Sequence, residues 1–202
     1  LKAMATDRTA VIGFPVDHSL SPIIHNHWIK ELGLDTKPYE KINVDPNKFE
    51  EQINNLKAEG YGGLNVTVPL KELAFSISDE TSGISKKLKS VNTLSLNSEK
   101  IDGDNTDAVG FINSLDEKTI ENNITNKKTL VLGAGGSARS VVHALNELGG
   151  HVRLFNRTPE KAEILLDDLS INSSPVSAEE LDDYANSSSF IVNTTSLGQK
   201  AG

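Results

Sequence analysis

An α/β fold in two domains, each with a mostly parallel sheet, is predicted by three observations. Strand and helix patterns alternate along most of the 202 residues. Short runs of period-two apolar residues, such as Leu64, Val66 and Val68, end at glycine or proline. A polar stretch over 117–128 is followed by a fresh strand, a glycine-rich turn and a helix. The domains are expected over 1–105 and 106–202, joined near Asp104–Thr106, with the second sheet incomplete at its C-terminal side.

The elements follow in order. "TAVIGFPV" reads as a strand, and "SPIIHNHWIKELGL" as a helix with Ser21 as N-cap and Pro22 at its first position. "KPYEKINV" is a strand. "DPNKFEEQINNLKAEG" repeats the cap-plus-proline start and stops at Gly60. "GGLNVTVPLKELA" is a buried strand that Pro69 ends, because proline has no N–H for the ladder, followed by a helix near 70–78. A weaker helix spans 80–88. "SVNTLSLNSEKIDGDNTD" is a strand pair joined near Asn97, with Asn92 in a strand, and "TDAVGFINSLDE" is a bridging helix. The run 117–128 reads as a surface loop.

Composition narrows the function. A net charge of −8 argues against nucleic acid, whose phosphates need a basic face. No apolar run reaches about 18 residues, so no membrane partner is expected, and "LKAMATDRTAVIG" lacks the apolar core of a signal peptide. The absence of cysteine excludes disulfides and fits a reducing compartment, so the cytoplasm is the expected location. His25 and His27 stand two apart on a predicted helix and point to different faces, so no metal site is expected.

The most specific local motif is Gly133-Ala134-Gly135-Gly136-Ser137-Ala138. It follows a four-residue apolar strand, opens a helix and fits G-x-G-x-x-G/A. Gly133 permits the tight turn, Gly135 lets backbone approach a pyrophosphate, and Ala138 allows close helix–strand packing. The helix N–H groups then hold phosphate. About 20 residues on, an NAD enzyme has an acid for the ribose 2′-hydroxyl. Here Asn156-Arg157-Thr158 stand instead. Arg157 can clamp a 2′-phosphate, Thr158 can donate to it, and Arg139 adds charge in the first helical turn. NADP is therefore the expected cofactor. The plain alternative is that Arg157 is a solvated surface charge.

A second group of polar residues lies at element ends in the first domain. Ser19 and Ser21 sit in a strand-to-helix loop, Asn65 and Thr67 share one strand face, Lys71 follows that strand, Asn92 lies in the strand pair, and Asp107 starts the bridging helix. Each has a structural reading: helix cap, sheet hydrogen bond or solvated charge. Ligands of open α/β sheets gather outside the carboxyl ends of strands. Together these groups suit a small molecule with several hydroxyls and one carboxylate.

The motifs "HSLSP", "NVTVPLK", "VNTL", "GDNTDAVGF", "GAGGSAR", "NRT" and "NTTSLG" occur here in one order that resembles the NADP-linked shikimate dehydrogenases, from "VIGFPVDHSLSP" to "IVNTTSLG". The resemblance implies reversible reduction of 3-dehydroshikimate to shikimate in the chorismate and aromatic amino-acid route. It implies that Ser19 and Ser21 bind the substrate carboxylate, that Thr67, Asn92 and Asp107 hold its hydroxyls with Asn65 nearby, and that Lys71 and Asp107 form the catalytic pair. It also adds Thr194, Thr195 and Ser196 to the cofactor residues. A monomer or homodimer is the expected assembly. Members of the family continue beyond "NTTSLGQKAG" with a segment that supplies a glutamine and a tyrosine to the substrate site. These 202 residues lack that segment, so reduced activity and stability are the expectation. The rivals are an NAD-linked quinate/shikimate dehydrogenase, which would want an acid at 156–157, and a non-catalytic binding relative, which would be expected to lose Lys71 or Asp107.

Overall fold

A computed structural model of the chain describes residues Arg8–Thr195 and Leu197. The chain divides after Asn105 into two compact units.

The first unit holds a six-stranded sheet in the order β2-β1-β3-β5-β6-β4. Its strands are β1 (Arg8–Gly13), β2 (Glu40–Asn43), β3 (Tyr61–Val66), β4 (Glu80–Thr81), β5 (Thr93–Ser95) and β6 (Asp102–Asp104). β1 runs parallel to β2 and β3, and β4 parallel to β6. Only β5 runs against its neighbours β3 and β6. The chain goes from β1 to β2 on one side, then crosses to β3 on the other. The sheet's switch point therefore lies between β1 and β3.

The two faces of this sheet differ. Ala10, Ile12, Leu64, Val66 and Leu94 point into a large apolar core. α2 (Phe49–Ala58) closes that core with Phe49, Ile53 and Leu56, and α3 (Lys71–Ile77) adds Ala74. Burial of each large side chain contributes about 1.5–3 kcal/mol. The expected cap-plus-proline start belongs to a 3-10 turn, Pro46–Lys48, where the Asp45 carboxylate accepts from the Asn47 N–H at 2.9 Å; α2 follows directly with no side-chain cap of its own, and Gly60 ends the segment with φ +90°. The other face is thin. Val11, Val16 and Tyr39 form a small cluster with Ile29 of α1 (Ser21–Glu31), and α1 itself buries no residue fully. In register across this face stand Val11, Asn65, Thr93 and Asp104. Sheet positions that would ordinarily be apolar are polar here.

α4 (Gly83–Leu88) is the expected weak helix, preceded by the short β4. Ser82 caps it by accepting from the Ser85 N–H. Two expectations are corrected at strand and helix ends. Ser21 is not the cap of α1: the cap position belongs to Leu20, and Ser21 is the first helical residue. Asn92 precedes β5 rather than lying in it, although its backbone already pairs with Val66 and Asp104.

The second unit opens with α5 (Asp107–Asn113). The expected loop over 117–128 is another correction. α6 (Glu117–Thr119) runs directly into a π-helical turn, Ile120–Ile124. The Asp116 carboxylate caps α6, accepting from the Thr119 N–H at 2.8 Å and its hydroxyl at 3.0 Å. Ile124 is fully buried. The polar composition of the segment hides this cap and the i, i+4 spacing of Ile120 and Ile124.

Three parallel strands follow in the order β8-β7-β9: β7 (Lys128–Leu132), β8 (His151–Phe155) and β9 (Phe190–Asn193). α7 (Gly136–Glu147) joins β7 to β8. α8 (Pro159–Asp168) and α9 (Leu181–Ser187) lie between β8 and β9. β8 and β9 flank β7, as in a Rossmann-type sheet, so this unit has its switch point between β7 and β9. The Val176 N–H donates to the Leu154 carbonyl at 2.9 Å, which extends the β8 edge by one bond.

Candidate active site

At the carboxyl end of the first sheet, β1 and β3 approach closely. A Cβ on Gly13 would lie 2.6 Å from Thr67 Cγ2, so glycine is required there. The Phe14 N–H donates to the Val68 carbonyl at 3.2 Å, and the Thr67 N–H to the Ile12 carbonyl at 2.9 Å. Beyond this junction lie the two serines. The Ser19 Oγ accepts from the Ser21 N–H at 3.3 Å, which fixes the turn into α1. The Ser21 hydroxyl, freed of the cap role, makes no hydrogen bond with a described residue.

Lys71 is the first residue of α3 and is 9% exposed. Backbone ties bring the neighbouring residues to it. The Val91 N–H donates to the Lys71 carbonyl at 3.0 Å, and the Val66 N–H to the Asn92 carbonyl at 2.7 Å. The first unit thus brings Ser19, Ser21, Asn65, Thr67, Lys71 and Asn92 to its switch point. Asp107 opens α5 in the second unit and is partly buried.

Sequence reasoning missed two residues whose hydroxyls reach this end. The Tyr39 hydroxyl donates to Asn65 Oδ1 at 2.7 Å. Asn65 Nδ2 donates to Thr93 Oγ1 at 3.4 Å, and the Thr93 hydroxyl donates to Asn92 Oδ1 at 2.9 Å. Burial pushes the Tyr39 hydroxyl above the ordinary tyrosine value, so it stays a donor. The His25 ring stacks on Tyr39 at 4.2 Å between centroids and 9° between planes, and burial holds the imidazole below the usual histidine value. His25 therefore serves packing. Among the described residues no cluster of three His, Asp or Glu side chains could hold a metal ion. The signal for Thr93 was its place beside Asn92 in "VNTL". Tyr39 gave none, because "KPYEK" has no period-two pattern.

At the carboxyl end of the second sheet the lining is mostly backbone. Gly133 has φ +104°, and a Cβ there would lie 2.8 Å from Thr194 Oγ1. Both facts exclude other residues. Gly135 faces open space, with nothing within 4 Å of a would-be Cβ. Gly136 starts α7, Ser137 is exposed, and Ala138 is buried against the sheet. The donor set and the bare glycines fit a pyrophosphate at the α7 N-terminus. Beyond β8, Asn156 Nδ2 donates to the Thr158 carbonyl at 2.8 Å. Arg157 and Thr158 are exposed, and Arg157 makes no ion pair with a described residue.

Arg139 departs from its expected place. It is 7% exposed, and its Nη1 donates to Asp168 Oδ2 at 2.9 Å, tying α7 to α8. A guanidinium buried on that carboxylate does not reach out to a phosphate. Thr194 and Thr195 lie against Gly133, but their hydroxyls donate to the Leu132 carbonyl and to Asn193 Oδ1, each at 2.7 Å. They shape the glycine turn. Ser196 lies outside the described residues.

No helix among the described residues is long and apolar enough to cross a membrane. Two family models match the chain: the shikimate dehydrogenase substrate binding domain over residues 11–94, and shikimate / quinate 5-dehydrogenase over 114–200. The chain is 40% identical to a shikimate dehydrogenase (NADP(+)) from Methylocella silvestris over 97% of its length and 70% of that protein. The crystal structure of shikimate dehydrogenase from Aquifex aeolicus matches with a TM-score of 0.83 and 38% identity, over 96% of this chain and 71% of that one. A shikimate 5-dehydrogenase from Thermus thermophilus, in complex with NADP(H) and shikimate, matches at 0.76 and 33% over 95% and 69%. With its glycine-loop Rossmann unit and its polar first-sheet mouth, this chain belongs to the shikimate dehydrogenase family.

Proposed function

We propose that this protein reduces 3-dehydroshikimate to shikimate with NADPH, reversibly, the first unit holding the substrate and the second the cofactor. The observation that carries the reading is the buried Lys71 at a switch point already furnished with Ser21, Thr67 and Asn92. The relatives named as NADP-dependent enzymes, and the complex with NADP(H) and shikimate, support it.

Bound at the glycine turn, with Arg157 and Thr158 on its 2′-phosphate, NADPH supplies the hydride for the substrate carbonyl carbon. The chain's own groups do the rest. Ser19 and Ser21 hold the carboxylate. Thr67, Asn65 and Asn92 take ring hydroxyls. The Lys71 ammonium stabilises negative charge growing on the carbonyl oxygen and gives it a proton, which balances the hydride. Asp107 accepts from a substrate hydroxyl. Arg157 standing where an NAD enzyme has an acid disfavours the NAD-linked rival. A cytoplasmic setting and a monomer or homodimer complete the proposal.

The test is absorbance of NADPH formed from NADP+ and shikimate. The expected result is formation with NADP+ and far less with NAD+. No reduction of either cofactor, or equal use of both, contradicts the reading.

A further inference from the structure

The polar face of the first sheet carries a chain of hydrogen bonds that all run one way. The Tyr39 hydroxyl donates to the Asn65 oxygen, the Asn65 amide to the Thr93 oxygen, and the Thr93 hydroxyl to the Asn92 oxygen. From this geometry we infer that Tyr39 and Thr93 are positioning residues: they decide which edge of Asn65 and of Asn92 meets the substrate. The inference rests on the proposed substrate role of those two amides.

An asparagine has a donor edge and an acceptor edge of nearly equal shape. Nothing in the side chain itself prefers one orientation. Here the oxygen of each amide is turned into the relay; the Asn65 amide spends one N–H on Thr93 and keeps the other, and the Asn92 amide nitrogen stays outside the relay. A group accepting from those N–H bonds must supply an oxygen lone pair, as a ring hydroxyl or a carboxylate does. Bonds aligned head to tail polarise one another, so the start of the relay matters to its end. Its start is well fixed. Tyr39 is 5% exposed and keeps its proton through burial. Its ring lies flat against His25, and its backbone N–H and carbonyl are both bonded to the Asn26 side chain, at 2.8 and 2.9 Å. Thr93 is the only relay member between the two amides, and it sits opposite Asn65 in the β3–β5 register.

The test uses Tyr39→Phe, which keeps the ring on His25 and removes only the hydroxyl. KM for shikimate is expected to rise about 3–10-fold, the span of one net hydrogen bond, with KM for NADP+ unchanged. Thr93→Val should do the same, and Thr93→Ser should restore the wild-type value. In an Asn65→Ala background, Tyr39→Phe should add nothing further, because its effect passes through that amide. An unchanged KM for shikimate in Tyr39→Phe, or an equal rise in the Asn65→Ala background, overturns the inference. Failure of the functional reading is distinguishable. If the wild-type protein does not oxidise shikimate, the side-chain amide resonances of Asn65 and Asn92 still decide. Both shifting in Tyr39→Phe supports the relay, and Asn92 staying unshifted overturns it.

Discussion

The two sheets carry their candidate sites in the same place and build them from different material. The mouth of the β8-β7-β9 sheet is backbone: a glycine with φ +104°, a glycine facing open space and the first N–H groups of α7. The mouth of the six-stranded sheet is side chain: two serines, a threonine, two amides and a buried lysine. Under the proposed function the difference follows from the ligands. A pyrophosphate is one dense anion, and repeated N–H groups suffice for it. A polyol acid offers several hydroxyls of defined stereochemistry, and each needs its own oriented partner. Changes at the first mouth should therefore alter substrate or chemistry, and changes at the second should alter cofactor.

The largest expected effect is that of Lys71→Ala. If the ammonium serves the transition state, kcat should fall about 10²–10⁴-fold, the usual worth of acid–base assistance, with a modest change in KM. Steady-state kinetics reads this. A kcat within a few-fold of wild type would reduce Lys71 to a buried structural cation. Arg157→Ala comes next. Losing a charge-assisted clamp costs about 1.5–3 kcal/mol, so KM for NADP+ should rise by a factor of roughly 10 to 100, and that for NAD+ should hardly move. Equal weakening of both would erase the difference between the two mouths.

Ser21→Ala should be smaller. Its hydroxyl does not cap α1, so melting temperature should hold while KM for shikimate rises about tenfold, the worth of one hydrogen bond to a charged group. A lowered melting temperature with unchanged KM would return Ser21 to a structural role. The smallest effect belongs to the opposite, amino end of the first sheet. There the Tyr61 hydroxyl and then Arg8 bond to Glu40 and hold its carboxyl below the usual range. A depressed folded-state value adds stability above the unfolded-state value, lost as pH falls through the folded one. Both Arg8 and Glu40 are partly solvated, so the term is small. Glu40→Gln should flatten the acid limb of a melting-temperature profile slightly and leave kinetics alone. Changed kinetics would show that the amino end is coupled to the mouth.

The second mouth was the more legible in the sequence because a backbone site needs glycines at fixed spacing, and Gly133 and Gly135 occupy those positions. The first was legible only as a set of scattered motifs. Single residues such as Ser21 or Asn92 had adequate structural readings, and the one for Ser21 failed only once Leu20 was seen to hold the cap position. Arg139 misled because sequence gives its place in α7 and not the Asp168 carboxylate one helix away. The 117–128 segment misled through composition, since one aspartate cap and two isoleucines outweigh its polar residues. Tyr39 was silent because its bond to Asn65 joins residues 26 apart in the chain.

The two mouths are expected to bind two different ligands independently. Equilibrium titration of shikimate and of NADP+, each alone, into wild-type, Ser21→Ala and Arg157→Ala proteins tests this most directly. Ser21→Ala is expected to weaken shikimate and leave NADP+ binding unchanged, and Arg157→Ala to do the reverse. Either variant weakening both ligands alike, or Arg157→Ala weakening shikimate alone, would contradict that expectation.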